Sequence, residues 1–419
     1  MKNGIVHLWE LPSKFIYIEL SKKFRTHFFS HLKEIKKSMK LRKFAIRLGF
    51  PYYRFYYMFY TKFINLYVLF KLSNYFNKLG CNLCRKENLE QNVIAMKSNK
   101  RGVLIKNNKF PLNFRNKEGA ILISAFLHDG GISAKLEPHY RNNKEVLRKE
   151  VYDAVCKTVG IPNTDNCNPL RIKMFFPKIL GLILVHGLDM RGVDKISNPT
   201  VPKFLFSCNK DIRLEFVRHA IDDDGWIDTH SRSVRIELAV DIAISPKSPP
   251  NILSFDKILL ESLRISVLGP YFRGNYKRKD GRETARWYIA IKGKKNFLKL
   301  LKCPPKLDYK KIDLENITDS FVQEQFPKNK SFNVYLKNIE ELHKKGEQIN
   351  RITLAKKVRR SEKTILAVLK KMRDKGIISI DKVGKGGFVH YPADYRLAKV
   401  ISRPGQDGVV NAIKLEEKQ

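Results

Sequence analysis

Leu122-Ile123-Ser124-Ala125-Phe126-Leu127-His128-Asp129-Gly130 and Val217-Arg218-His219-Ala220-Ile221-Asp222-Asp223-Asp224-Gly225 are two copies of one pattern, an apolar helix that runs into Asp-Gly. The terminal aspartates, Asp129 and Asp224, stand 95 residues apart, about the size of one small αβ unit. An extended segment follows each copy, at 132–140 and 234–244. Helical periodicity then predicts helices over 143–159 and 255–263. A strand leading into a helix completes each unit, at Ile172-Lys173-Met174-Phe175 and Trp287-Tyr288-Ile289-Ala290-Ile291. A single Asp-Gly helix end carries little information. Two in the same strand and helix order predict an internal duplication related by a pseudo-dyad.

The flanks of this duplication read differently. Residues 1–38 mix strand and helix. From 39 onward Leu41, Phe44, Ala45 and Leu48 recur at helical spacing, Gly49 ends that helix and Pro51 opens another. These are helix-turn-helix proportions, and Arg42, Lys43, Arg47 and Arg54 decorate them. The aromatic run from Tyr52 to Tyr60 has base-stacking chemistry, although its helical spacing reads first as core. Cys81-Asn82-Leu83-Cys84 has zinc-knuckle spacing. Zinc is not favoured there, because the reading finds no second CxxC or HxxxH to supply the two further ligands, but it is left open. Downstream, 334–345 and 352–358 are predicted helices. Ser361 caps a longer helix that ends near Gly376. Strands over 377–380 and 388–391 then enclose a glycine-rich turn. Three helices and a two-stranded wing predict a winged helix-turn-helix, with Arg359, Arg360, Ser361, Lys363, Thr364, Lys370, Lys371 and Lys385 as its DNA-facing residues.

Charge supports a polyanionic partner. The chain has 419 residues and 81 Lys/Arg against 41 Asp/Glu, a formal +40. Residues 1–110 hold 23 basic against 5 acidic side chains, and 331–400 hold 17 against 7. The basic excess is therefore densest on both flanks of the duplication. With 43% apolar residues, the composition excludes a disordered or collagen-like chain. The most apolar stretch, 50–76, is broken by Arg54, Lys62 and Lys71, so no membrane span is expected. The amino-terminal residues lack a signal-peptide pattern, and six cysteines are too few for a disulfide scaffold. A cytoplasmic, nucleoid-associated location is the expectation.

The duplicated motif resembles the LAGLIDADG homing endonuclease family, in its single-chain, two-repeat form, over roughly 100–310. The segment Asp189-Met190-Arg191-Gly192-Val193-Asp194-Lys195, with Asn198-Pro199 and Val201-Pro202, resembles archaeal-type members. The resemblance implies an α+β fold in which two pseudo-symmetric repeats lay antiparallel sheets as a saddle over duplex DNA. Helix-turn-helix-like and winged-helix modules would flank it, and a monomer would act as a pseudo-dimer. The expected divisions are a basic segment 1–38, an aromatic and basic helical domain 39–99, the two-repeat domain 100–310, a linker 311–330, the winged helix 331–400 and a tail 401–419.

By position in the motif, the resemblance makes Asp129 and Asp224 the catalytic ligands of a divalent cation, Mg²⁺. Gly130 and Gly225 belong to the same implied metal site, ending the helices and leaving room for DNA. Lys173 and Lys292, on or just after corresponding strands, are candidate transition-state stabilisers. Two carboxylates at helix ends suit this role. Each faces the negative end of its helix dipole, and two of them repel by about 4 kcal/mol at ~4 Å and an effective dielectric of ~20. A cation removes that cost. Ser124 has the small size expected where the motif helices touch, whereas His219 is bulky and polar there and Leu127 stands where an acid is common. The implied function is metal-dependent, sequence-specific cleavage of double-stranded DNA. A catalytically silent DNA-binding regulator is the alternative, since a bacterial sporulation regulator has a similar arrangement. Intron RNA, bound by maturases of the family, is a third partner class.

Overall fold

A computed structural model describes residues 3–191, 195–245, 247–321, 331–382 and 394–397. The fold is mixed α+β, and every strand pairing with a described register is antiparallel. Two compact units divide the chain. The first comprises Met1–Ile227 and Val234–Leu314, and the second Asp228–Ser233 and Glu315–Gln419. Among the described residues, no helix is long and apolar enough to cross a membrane.

The first unit is built around two helices, Lys117–Leu127 and Lys210–Asp224, which pack against each other. Each is followed by strands, a helix and a further strand. After the first come Gly130–Ile132, Pro138–Arg141, helix Glu145–Thr158 and strand Lys173–Phe175. After the second come Gly225–Asp228, Ser233–Asp241, helix Asn251–Ser262, and the long hairpin Val267–Lys277 with Glu283–Lys292. The predicted 132–140 strand is two strands joined by a tight turn, in which Ser133 N donates to Glu137 O at 3.1 Å and Leu136 takes φ 61°. In both sheets the last strand lies beside the second one, so the sheets share an order. They differ in one element. The second sheet has Val267–Lys277 at its edge, whereas its counterpart by sequence order, Ile161–Pro162, pairs with Ile105–Lys106 in a separate five-stranded sheet.

That diversion corrects the expected divisions at 38/39 and 99/100. Ile18 pairs with both Ile64 and Met96, Met96 with Ile105, and Val6 with Leu112, so residues before 39 are woven into one unit with those after 100. The short helices Leu41–Arg47 and Tyr52–Tyr60 form as predicted, joined through Gly49 at φ 76°. They are not a separate domain. The aromatic run is only partly core: Phe55 and Met58 are buried, but Tyr53, Tyr56, Phe59 and Tyr60 are exposed. The reading of Cys81 and Cys84 as lacking companions is also corrected, because His27 and His31 of helix Lys22–Ser38 lie beside them.

In the expected linker, Asp308–Asp319 is helical, because Leu307, Leu314 and Ile317 bury an apolar stripe. Residues 322–330 lie outside the described set. In the second unit, helices Ser331–Lys344, Arg351–Val358 and Glu362–Asp374 enclose a core that includes Ile339, Leu354, Ile365, Leu369 and Met372. Ser361 caps the third helix, its hydroxyl accepting from Thr364 N at 3.2 Å, and Gly376 follows that helix with φ 71°. Strand Ile378–Lys382 pairs with Asp394–Leu397. The strand predicted at 388–391, Lys385 in the turn before it and the tail 401–419 lie outside the described residues.

Candidate functional site

The first motif helix is apolar all round and buried from Gly119 to Leu127, as a helix through the centre of a core must be. Asn116 starts it by accepting from Gly119 N at 2.7 Å. The second helix is capped in the same way by Asn209, which accepts from Ile212 N at 3.0 Å. It differs in burying Arg218, His219 and Asp222 among its apolar residues. The Ser124 hydroxyl donates to Phe216 O across the interface at 3.1 Å. The small side chain expected at this position thus also ties the helices together.

Their carboxyl-terminal ends meet over Asn142. Its amide donates to Asp129 Oδ2 at 2.8 Å and to Asp223 Oδ1 at 3.3 Å, and the Tyr140 hydroxyl donates to Asp223 Oδ1 at 2.7 Å. The carboxylate joined to Asp129 through Asn142 is therefore Asp223, one residue before the predicted Asp224. Burial pushes Asp223 up, but the His219 imidazole at 3.2 Å and the Tyr140 hydroxyl outweigh it and hold it below the usual carboxylate range. Asp129, Asp223 and Asp224 are all half-buried as residues, but the Asp223 side chain itself is fully buried. Asp223 acts as a buried anchor beneath the other two.

Lys310, which no sequence signal selected, supplies the cation. It is buried and donates to Ile221 O at 2.8 Å and Asp222 O at 2.7 Å, capping the second motif helix. Burial lowers its pKa, while Asp222, Asp223, Asp129 and Asp224 all act on it in the opposite sense. One signal did exist: Lys310 shares the buried stripe of Leu307 and Leu314, where a lysine needs a partner. Lys173 sits on a row with Asp129. Arg141 N donates to Asp129 O at 3.3 Å and Arg141 pairs with Lys173, placing Lys173 two strands away, roughly 10 Å. Its ammonium lies 4.7 Å from the Phe175 ring. Lys292 is exposed at the end of its strand, and no contact among the described residues brings it to the aspartates.

Among the described residues, no three His, Cys, Asp or Glu ligand atoms converge at the helix ends. Carboxylates are the donors that Mg²⁺ takes, one or two at a time, with phosphate oxygens and water completing its shell. Gly130 and Gly225 have a steric role. A Cβ on Gly130 would lie 2.6 Å from Ala125 O and 2.8 Å from His139 O, and one on Gly225 would lie 2.6 Å from Ile221 O. Neither requires a left-handed backbone. Only glycine lets each strand leave so close to its helix end.

Two buried ionic groups brace the helices. Nδ1 of His128 lies 2.9 Å from Ser124 O, a carbonyl that can only accept, so that nitrogen carries a proton. Its Nε2 lies 3.3 Å from Asp256 Oδ2 on helix Asn251–Ser262. Burial would lower the His128 pKa, but Asp256, with Asp224 and Asp223 behind it, lifts it to about 9. A folded value above the ordinary ~6.5 means that protonation favours the fold. The contribution is complete below about pH 6.5 and is lost as pH rises through about 9. Asp256→Asn is expected to destabilise the protein by about 3 kcal/mol at the acidic side of that window and to flatten this pH dependence, as thermal melts across the window would record. The second group is Arg218, whose guanidinium contacts Glu150 at 2.9 Å, Glu215 at 2.6 Å and Asp222 at 2.8 Å.

The open faces of the two sheets carry a set of residues that sequence reasoning missed. In strand Ser233–Asp241, Val234, Ile236, Leu238 and Val240 are buried while Arg235 and Glu237 face out. Arg235 lies 5.5 Å from the Trp226 ring and 5.4 Å from that of Tyr288, Arg273 lies 5.4 Å from Trp226, and Arg286 lies 4.2 Å from Tyr276. Glu237 sits among these arginines, 3.8 Å from Arg286. On the first sheet His139, Arg141, Lys173 and Phe175 share the outward face. Of the predicted DNA contacts, Arg42, Lys43 and Arg47 are exposed and Arg54 lies 6.0 Å from the Tyr53 ring. In the second unit Arg359, Lys363, Thr364, Lys370 and Lys371 are exposed and Arg360 is half-buried, whereas Ser361 is committed to its cap. No protein-family profile matches the chain, and no curated protein matches it.

Proposed function

We propose that this chain binds duplex DNA through its two sheets and hydrolyses a phosphodiester bond in each strand at the paired helix ends, as the LAGLIDADG endonucleases it resembles do. The observation that carries the reading is the meeting of Asp129 and Asp223 at Asn142, with Asp224 beside them in sequence and the Lys310 ammonium in the field of all three, at the carboxyl ends of two packed helices that each lead into an antiparallel sheet. Asp129 and Asp224 would hold Mg²⁺, which when bound activates water and stabilises the leaving oxygen. Asn142 fixes the Asp129 carboxylate by its 2.8 Å bond. The arginines and aromatics of the open sheet faces would grip backbone and bases. In this reading the second unit is a winged helix that extends the contact through Lys363, Thr364, Lys370 and Lys371.

Selection of bound DNA from a random pool, followed by incubation of the winner with Mg²⁺, tests this. Both strands of the selected site are expected to be cut. A site that is held tightly, with or without Mg²⁺, and never nicked would support the silent regulator. One observation favours that second reading: the buried Lys310 ammonium already offsets the aspartates from within.

Binding should also be strongly salt-dependent. About a dozen neutralised phosphates give a slope of log K on log salt near −10. Arg235→Ala and Arg286→Ala are each expected to make that slope shallower by about 1, and deletion of 331–419 should flatten it further. Slopes measured by fluorescence anisotropy that do not change in the arginine variants would remove the sheet faces from the interface.

A further inference from the structure

We propose that His27, His31, Cys81 and Cys84 form a structural zinc site in the amino-terminal part of the first unit, separate from the aspartates. The sequence carries both halves of the ligand pattern, His27-Phe28-Phe29-Ser30-His31 and Cys81-Asn82-Leu83-Cys84. H-x₃-H with C-x₂-C is the spacing of a Cys₂His₂ centre, here with the histidines first.

Local structure aims all four side chains at one point. His27 and His31 are four apart on helix Lys22–Ser38 and therefore share a face. Helix Leu66–Lys78 ends through Gly80 at φ 90°, Cys81 N returns to Phe76 O at 3.0 Å, and Asn82–Cys84 forms a single turn closed by Cys84 N to Cys81 O at 3.0 Å. The turn presents both sulfurs to the histidine face. The four ligand atoms all lie within 4.8 Å of one another.

Two edges of this cluster match a tetrahedron. Bonds of ~2.3 Å to sulfur and ~2.0 Å to nitrogen imply edges of about 3.4 Å between nitrogens and about 3.5 Å between nitrogen and sulfur. His27 Nε2 lies 3.4 Å from His31 Nε2 and 3.5 Å from Cys81 Sγ. The sulfurs, 2.7 Å apart, are closer than the roughly 3.8 Å edge of a zinc site but well beyond the ~2.05 Å of a disulfide. Metal binding would have to draw the two sulfurs about 1 Å further apart. The surroundings suit a fixed centre. Cys84 is fully buried, the Ser73 hydroxyl donates to Cys84 O, and the His31 ring lies 5.1 Å from that of Phe76.

Two thiolates and two imidazoles select zinc over the hard cations that suit carboxylates. The site closes all four positions with protein, so its role is to staple. It would bind helix Lys22–Ser38, with Lys33, Lys36 and Lys37 near its end, to the corner that follows Leu66–Lys78, and so fix the approach to the basic helix Leu41–Arg47.

Full-length protein, purified under reducing conditions from zinc-supplemented cells, is expected to contain one zinc per chain by elemental analysis. Cobalt(II) titrated into the metal-stripped protein should give the intense visible bands of tetrahedral coordination with a thiolate charge-transfer band. Cys81→Ser and His31→Gln should each weaken cobalt binding by more than about 100-fold, while Asp129→Asn leaves the zinc content unchanged. Wild-type protein that contains no zinc and gives no charge-transfer band with cobalt overturns the proposal. So does a mass showing Cys81 and Cys84 oxidised to a disulfide in the reduced preparation.

Discussion

Asp129→Asn or Asp224→Asn is expected to lower DNA cleavage by at least about 10³-fold, equivalent to ~4 kcal/mol of transition-state stabilisation, while DNA binding in the absence of divalent metal changes little. Each substitution keeps the shape of the side chain and removes one negative charge. Asn142 can still donate to the oxygen of an Asn at 129, so local geometry is retained and the loss is electrostatic. Asp223→Asn should behave differently. That carboxylate is buried between Tyr140, Asn142 and His219, and neutralising it strips the His219 imidazole and the Tyr140 hydroxyl of a charged partner. Its main effect is expected on stability, measured by denaturant melts, before any effect on chemistry. Cleavage by selected-site assay that survives in both Asp129→Asn and Asp224→Asn would place the reaction at other residues.

The contrast between Asp223 and Asp224 marks what the sequence discloses. Features fixed within one turn of chain were legible: the Ser361 cap, the left-handed Gly49 and Gly376, and both Asp-Gly helix ends. They depend on neighbours a few residues away, and backbone sterics and capping settle them. The duplicated order of elements was legible too, because it is periodic. A choice between adjacent aspartates was not, since it depends on which side of the helix end faces Asn142, 81 residues earlier in the chain. Strand Ile161–Pro162 was not foreseen, because it is two residues long and exists only through its pairing with the distant Ile105–Lys106. His27-Phe28-Phe29-Ser30-His31 is itself an HxxxH, so the second half of the ligand pattern was in the sequence and was overlooked; what only the packing of helix Lys22–Ser38 shows is that it meets Cys81 and Cys84. Lys310 is the last residue of the expected two-repeat domain, and its burial depends on a helix, Asp308–Asp319, that runs on into the expected linker.

Arg218→Met is expected to destabilise the first unit by about 3–5 kcal/mol, a large share of the ~5–15 kcal/mol typical of a folded protein. In the sequence Arg218 reads as a departure from an apolar motif helix. In the structure its guanidinium is 3% exposed and serves Glu150, Glu215 and Asp222 together. Burial would lower its pKa, but the three carboxylates raise it above the ordinary arginine value, so it stays charged at every accessible pH. Removing it leaves the carboxylates unequally served. Asp222 still accepts from Lys306 N at 2.9 Å and Leu307 N at 3.2 Å, and Glu215 from the Cys303 thiol at 3.2 Å. Glu150 would keep only the more distant His219 Nε2, 3.8 Å away, among its described ion contacts. Adding Glu150→Gln to Arg218→Met should therefore recover part of the loss, a coupling that a double-mutant cycle in urea would measure. Arg218→Lys should fall between wild type and Arg218→Met, because one ammonium cannot reach three carboxylates that a guanidinium fork spans. An Arg218→Met variant as stable as the wild type would show that the network is an ornament of the helix pair and not part of what holds it together.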